Sequence, residues 1–468
     1  MDLTVSEVIQ ATGARLAQRG ASDRVRAIAI DSRTFPDHRT VADNWFVAIR
    51  GPHFDGHDFV PDAAAKGAAG VIVSRAVPAP AGVTVLVVAD TVTALGAIAA
   101  RWRAAFARVP CVAVTGSNGK STTKEMVAAV AAERGAVLKT EGNFNNLIGL
   151  PLTVFRWAAE HRTAVLEIGM SAAGEIAALT RIVAPDVGLI TNVTAAHLDQ
   201  LQTVEHVAAA KGELFRTMRP DGTICVNVED PHVRALAAAF PGRRITYGMQ
   251  NGCDVQFGRM TTEEFHQADL TLYVRGAEHR LSLPVPGAHN VMNAMAAVAV
   301  GLALEVPVEA MLRRLPTFQP MKMRMEHVQL VSGVQVINDA YNANPLSMEA
   351  ALKTVGAAKR AGRFFAVLGD MLELGPEAAR AHRRVGEQAA RYGAQRVFAS
   401  GAHAREVAEG ARAGGLAADR VAVIAAMEDL QRAVLTAIQP GDVVLVKGSR
   451  GMHMERVVEF LKAEIGTD

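Results

Sequence analysis

The sequence predicts an α/β protein of three domains, and three observations carry that expectation. Its 468 residues exceed what one hydrophobic core usually organises. Short apolar runs that end in glycine or polar residues alternate with helical patterns, which is the mark of mostly parallel sheets joined by crossover helices. A second series of the same kind begins near "VQVINDAYNANP". The expected spans are 1–90, 91–315 and 316–468.

Composition narrows the field. Half of the residues are hydrophobic, enough for real cores, and 49 basic against 47 acidic side chains leave a formal charge of +2 with no long basic block. Nucleic acid and anionic membrane surfaces are therefore poor candidates as partners. Cys111, Cys225 and Cys253 lie far apart, show no CxxC spacing and cannot all pair. Reduced thiols in a cytoplasm are expected.

From the N-terminus, "MDLTVSEVIQATGARL" reads as a short amphipathic helix and lacks the charged and apolar regions of a secretion signal. Residues 31–73 are rich in turns, and "WFVAIRG" and "DGHDFVPDAAAKGAAGVIV" suggest short strands and one helix of a small α/β domain. "TVTALGAIAARWRAAFARV" has helical spacing, and Pro110 breaks it just before the apolar "CVAVTG". Further strands are expected at "TAVLEIG", "VGLITNV" and "TICVNV", then at "FFAVLGD", "RVFAS" and "DVVLVKGS". The apolar "AMAAVAVGLAL" from Ala294 is too short to span a bilayer and reads as a buried helix.

"VAVTGSNGKSTTKEM", Val112 to Met126, carries the chemistry. A strand runs to Val114, a loop with Gly116 and Gly119 follows, and Lys120 and Ser121 open a helix. Backbone N–H groups and the helix start then face an anion, the lysine reaches outer phosphates and the hydroxyl meets Mg²⁺. The spacing is GxxGKST; the longer GxxxxGKST pattern would need glycine at Val114. A glycine-rich turn before an ordinary helix would share these features.

Three more residues draw notice. Glu167 ends the strand "TAVLEIG", where an open α/β sheet presents groups to ligands, and a carboxylate there suits Mg²⁺; a solvated strand end is the plainer reading. His197, just beyond "VGLITNV", sits where it would reach the same edge for a second metal or a phosphate, or is a bystander. Lys211 falls on the apolar helical stripe of Val207, Leu214, Phe215 and Met218. Either it snorkels, or it is a functional lysine whose charge is altered by modification.

Taken together, "TGSNGKSTTKE", "EGNFNNLIGLPLT", "LEIG", "TNVTAAHLD", "AKGELF", "GAHNVMNAMAAVAV", "DAYNANPLSMEAAL", "VLGDMLELG" and "KGSRGMHMERVV" resemble the Mur ligases of peptidoglycan synthesis, in order and over nearly the whole chain. "DAYNANP", "LGDMLELG" and "KGSRGM" are most similar to the branch that adds D-alanyl-D-alanine to UDP-N-acetylmuramoyl-tripeptide. The resemblance implies an N-terminal domain for the UDP end, a central P-loop ATPase and a C-terminal Rossmann-like domain for the incoming amine. It implies that Thr115, Gly116, Ser117, Asn118, Gly119, Lys120 and Ser121 cradle ATP, and that Ser121, Glu167 and His197 hold Mg²⁺. Lys211 matches the lysine that the family carries as a carbamate. Asn290 and Asn293, three apart on one helix face, would read adenine or else cap their helix. Arg324 and Asp339 would complete the nucleotide site, although Met323 stands where the family usually has glycine. Ser32 and Arg33 would meet the uridine diphosphate, and Asn145 and Asn146 the muramoyl group. Tyr341, Asn342, Asn344, Lys447, Ser449 and Arg450 would line the amine side.

The implied reaction is ATP-driven amide formation through an acyl phosphate, with Lys120, Lys211, His197 and Glu167 as the catalytic set and closure of the C-terminal domain on the nucleotide. A monomer with no membrane span is expected. The rivals are another Mur-type or folylpolyglutamate-type amide ligase, and a P-loop regulator or kinase.

Overall fold

The computed structural model describes residues 1–34, 43–194, 201–358 and 362–467. In these the chain builds three main sheets. The N-terminal sheet orders its strands Arg15–Gln18, Thr84–Val87, Gly70–Val73, Asn44–Val47 and Ala27–Ala29. All pairs but the first are parallel. The helix expected at the N-terminus is Val5–Thr12. Thr4 and Glu7 form a reciprocal capping box at its start, and Gly13, at φ 65°, ends it.

The central sheet runs Ala277–Leu283, Gln267–Val274, Val255–Glu264, Arg243–Gly248, Thr223–Asn227, Val187–Ile190, Cys111–Thr115, His161–Glu167, Ala136–Lys139. From Ala136–Lys139 to Val255–Glu264 the pairing is parallel, and the last two pairs are antiparallel. Those parallel strands are nearly continuous apolar runs because helices cover both faces. Helices Lys120–Ala131 and Ala288–Ala303 cover one face; on the other are Gly149–Phe155, Glu175–Val183, Val204–Lys211 and Pro231–Ala238. Ala288–Ala303 is the alanine-rich helix expected to be buried, and its small side chains let it lie close on the sheet. The antiparallel extension from Val255 to Leu283 is an addition to what the sequence suggested.

The C-terminal sheet orders Glu326–Gln329, Gln335–Asp339, Val443–Lys447, Phe364–Leu368, Arg396–Ala399 and Val421–Val423. Only the first pair is antiparallel. Among the described residues no helix is long and apolar enough to cross a membrane. The three cysteines are free, with Cys111 and Cys225 buried.

Helix Thr91–Ala104 joins the first two sheets. Asp90 caps its start by accepting the Thr93 N–H at 2.6 Å. Leu95 and Ile98 enter the N-terminal core, whereas Ala99 enters the central one. At its end Arg103 is 4% exposed, donates to the carbonyls of Val183 at 2.9 Å and Phe106 at 2.6 Å, and lies 4.6 Å from the Trp157 ring centroid. One cation thus satisfies the last carbonyl of a neighbouring helix and one just past the end of its own, and packs on an aromatic face. Arg103→Ala strands these carbonyls and is expected to lower stability by about 2–4 kcal/mol in urea unfolding. An unchanged midpoint would show the contact to be dispensable.

Candidate active site

The phosphate loop sits between strand Cys111–Thr115 and helix Lys120–Ala131. Gly116 has φ 147° and Gly119 φ 78°, conformations that favour glycine. A Cβ on Gly116 would also collide with the Thr191 hydroxyl. Neighbouring residues fix the loop. Thr191 Oγ1 donates to the Asn118 carbonyl at 2.6 Å, the Asn118 amide donates to Asn192 Oδ1 at 2.9 Å, and the Ser117 amide to the Asn192 carbonyl at 2.9 Å. Ser117 Oγ donates to the Thr194 carbonyl at 3.1 Å. Thr191, Asn192 and Thr194 were visible only as the polar letters after "VGLI". At the start of the helix the first-turn amides have no partner within the helix itself, as at any helix start, and aim at the same space.

That space is a cleft of ≈ 940 Å³ lined by the loop from Gly116 to Ser121, by Glu167 and Lys211, and by residues of the C-terminal sheet. Lys120 Nζ donates to the Gly116 and Ser117 carbonyls at 2.8 and 3.2 Å. Burial lowers its amine below the ordinary lysine value, with the Glu167 carboxylate opposing and Arg324 adding to the fall. Lys211 is 2% exposed, and Val207, Leu214, Phe215 and Met218 are buried beside it, so it does not snorkel. Burial drives its amine well below the usual range, and Lys120 pushes the same way.

Glu167 is also 2% exposed. Asn145 Nδ2 donates to its Oε1 at 2.8 Å, whereas its Oε2 has no partner among the described residues. A half-satisfied buried carboxylate in the cleft that Ser121 also lines supplies, with that hydroxyl, hard oxygen donors of the kind that suits Mg²⁺. No three imidazole, thiol or carboxylate groups converge among the described residues. A cation here would therefore take further oxygens from phosphate or water. His197 lies outside the described residues.

Arg324 reaches across from the C-terminal side. It donates to Ser121 Oγ at 3.1 Å, and its guanidinium stands 4.0 Å from the Tyr341 ring centroid. Asp339 Oδ2 accepts from Lys447 Nζ at 2.5 Å, and the Asn342 carbonyl accepts from the same amine at 2.9 Å. Asn145, Asn146, Asn290, Asn293, Tyr341, Asn342 and Asn344 also line the cleft. Asn290 and Asn293 are already engaged: Asn290 donates to the Pro286 carbonyl at 2.7 Å, Asn293 donates to Asn290 at 3.2 Å, and the Thr123 hydroxyl donates to Asn293 at 3.0 Å. Each amide keeps some capacity for a ligand. His289, which the sequence reading passed over, lines the cleft too, and burial pushes its imidazole down. Tyr247, Met249, Val285, Met292, Phe318 and Pro320 supply an apolar wall suited to the face of a base.

Other expected residues stand apart. Thr115 is buried behind the loop, Ser32 is buried, and Arg33 pairs with Asp31 at 2.8 Å on the surface. Ser449 ties loops together, accepting the Leu372 amide at 2.9 Å, and Arg450 pairs with Glu455 at 2.7 Å. None of these five lines the cleft.

Fold and cleft together define a multidomain α/β protein of the phosphate-loop nucleotide-binding class. Family models match the chain in three blocks: the Mur ligase family, catalytic domain over residues 24–103, the Mur ligase middle domain over 114–301, and the Mur ligase, glutamate ligase domain over 323–450. The chain belongs to the Mur ligase family. It is 37% identical, over 93% of each chain, to the UDP-N-acetylmuramoyl-tripeptide–D-alanyl-D-alanine ligase of Bacillus subtilis. Its fold is similar to crystal structure I of MurF from Acinetobacter baumannii, with a TM-score of 0.90 and 32% identity over 99% of both chains. It is also similar to the MurF ligase of Thermotoga maritima in complex with ADP, with a TM-score of 0.83 and 26% identity, covering 94% of this chain and 98% of that one.

Met323, standing in the family's glycine position, has φ 59°, and Met325 has φ 51°. The left-handed backbone explains why glycine suits the position. Met323→Gly is therefore expected to fold with stability within about 1 kcal/mol of the parent, because released strain offsets the greater freedom of the unfolded chain. Met323→Val, β-branched, is expected to lose about 1–3 kcal/mol. Equal urea midpoints for the Val variant and the parent would count against strain at this site.

Proposed function

We infer that the chain is an ATP-dependent ligase that joins D-alanyl-D-alanine to UDP-N-acetylmuramoyl-tripeptide, giving the pentapeptide precursor, ADP and phosphate. The observation that carries this reading is the shared cleft, in which the phosphate loop and Glu167 of the central domain face Arg324, Asp339 and Lys447 of the C-terminal domain. One domain is equipped to activate a carboxylate, the other to present an amine. The likeness to the Bacillus subtilis ligase across nearly the whole chain supports the choice of substrates. It favours this pair over a folate or regulatory role.

A peptide carboxylate is a poor electrophile, since its leaving group would be oxide. Its oxygen therefore attacks the γ-phosphorus of ATP, ADP leaves, and an acyl phosphate forms. The amine of D-alanyl-D-alanine then attacks the acyl carbon, loses a proton, and phosphate departs. Thr115, Ser117 and Asn118 shape the loop from behind, the amides of Gly119, Lys120 and Ser121 at the helix start hold the phosphates, and Lys120 turns from the Gly116 and Ser117 carbonyls to the outer phosphate oxygens. Arg324 adds positive charge from the far side. Ser121 and Glu167, with His197, would hold Mg²⁺, which when bound neutralises charge building on the phosphates. Glu167 Oε2 is the oxygen left free for it.

Lys211 acts as a neutral amine before modification. Its nitrogen adds to carbon dioxide and loses a proton, giving a carbamate whose negative charge faces Lys120. Ser32 and Arg33 belong on the uridine side, Asn145 and Asn146 near the muramoyl group, and Asn290, Asn293 and the apolar wall around the base. Tyr341, Asn342, Lys447, Ser449 and Arg450 form or frame the amine side. We divide the chain near residues 90 and 315, and place it in the cytoplasm as a monomer.

The first test is phosphate release from ATP with each substrate omitted in turn, following the product by mass. Release that needs both substrates, with a product heavier by the dipeptide less water, is expected. Hydrolysis indifferent to the sugar nucleotide would sink the assignment. Glu167→Gln, nearly isosteric, is expected to lower kcat by about 10²–10³ with a smaller change in ATP affinity. A second test concerns Lys211. Because burial depresses its pKa, the neutral amine that takes up carbon dioxide persists to lower pH than in an ordinary lysine and is lost as pH falls further. Protein equilibrated in ¹³C-bicarbonate should show a carbamate resonance that fades on acidification and is missing in Lys211→Arg. Its absence from the parent across the neutral range would refute the modification.

A further inference from the structure

We propose that Asn344 is a positioning residue that latches the C-terminal domain onto the phosphate loop, and is not a group that binds the incoming dipeptide. This rests on the ligase reading above for its consequence in catalysis, though the latch itself is a matter of geometry. Asn344 precedes helix Pro345–Ala358. Its Oδ1 accepts the Ser347 amide at 2.9 Å, and Ser347 Oγ accepts the Asn344 amide at 3.0 Å, a reciprocal cap that fixes which way the side-chain amide points. The Nδ2 left over donates to Asn118 Oδ1 at 2.6 Å.

The partner is equally constrained. Asn118 Nδ2 donates to Thr194 Oγ1 at 3.2 Å, so its Oδ1 must face the C-terminal domain. Its backbone amide goes to Asn192 Oδ1, and its carbonyl receives the Thr191 hydroxyl and the Asn192 amide. Two amide side chains, each oriented from its own side, meet donor to acceptor across the domain boundary. Asn118 lies between Gly116 and Gly119, the two residues whose backbone shapes the anion cradle. The latch therefore ties the start of a C-terminal helix to the conformation of the loop, and the dipeptide-binding domain is held in register with the nucleotide phosphates. With its Oδ1 and one N–H committed, Asn344 retains little to offer a substrate.

Two variants separate the latch from the fold. Asn344→Asp and Asn344→Ser both keep a good helix cap but lose the donor to Asn118, and the serine variant controls for the added charge near phosphate. Expected are an unchanged urea midpoint, an ADP dissociation constant raised about fivefold by calorimetric titration, a larger radius of gyration in small-angle scattering, and a fall in kcat. ADP affinity and radius of gyration equal to the parent's would overturn the latch. So would a rise in dipeptide KM alone, which marks a substrate contact. If the parent itself bound no ADP, the ligase reading would fail, and the scattering comparison would still decide the latch.

Discussion

The cleft holds two lysines, Lys120 and Lys211, that are withdrawn from water with no carboxylate ion-paired to either among the described residues, and the arrangement of the site follows from that constraint. Lys120, Lys211 and Arg324 face a region where Glu167 has one unpartnered oxygen and Asp339 is already taken by Lys447. Cations removed from water without partners raise the energy of the protein or shed protons. Lys120 and Lys211 both move in that direction, and Lys120 lowers Lys211 further. An anionic ligand relieves the strain for Lys120 and Arg324. Lys211, among the buried Val207, Leu214 and Phe215, has no carboxylate ion-paired to it among the described residues, and its relief would have to come from a change in its own charge.

Such a site works only if its dipoles are fixed before the ligand arrives, since dipoles that must reorient forfeit much of their benefit. The loop achieves this through its neighbours more than through its own sequence. Thr191, Asn192 and Thr194 hold one side of it, and Asn293 packs against Gly119 while accepting the Thr123 hydroxyl. The asparagines expected to read a base are thus also a support for the phosphate cradle, through the chain Asn290, Asn293, Thr123.

What was legible in the sequence was local. The strand, two glycines, Lys120 and Ser121 form one contiguous signal. Glu167 stood out because a strand ended on it, and Lys211 because a charge interrupted an apolar stripe. Less was visible where partners are distant in the chain: Asn344 meets Asn118 across 226 positions, and Thr123 meets Asn293 across 170. Nothing near Asn344 announces that its amide faces the phosphate loop, so the family resemblance put it with the amine side. The antiparallel strands from Val255 to Leu283 escaped notice because bulges at Phe257/Arg259 and Met260/Thr262 break the alternation that betrays a strand.

The linker shows how a departure from the family pattern is sustained. Two left-handed methionines flank Arg324, a conformation that costs about 1–2 kcal/mol for each residue bearing a Cβ. Three backbone hydrogen bonds oppose that cost: the Met323 amide donates to Glu326 Oε2 at 2.8 Å, the Met325 amide to Asp339 Oδ1 at 3.0 Å, and the Tyr341 amide to the Met323 carbonyl at 3.1 Å. Stacking of Arg324 on Tyr341 adds to them. A relaxed linker would not need these bonds, but neither would it turn Arg324 toward Ser121. Asp339 has a double duty in this scheme, since one oxygen holds the linker and the other holds Lys447. The residue that orients the arginine is therefore the same one that neutralises the lysine. Loss of its charge would disturb both sides of the cleft at once.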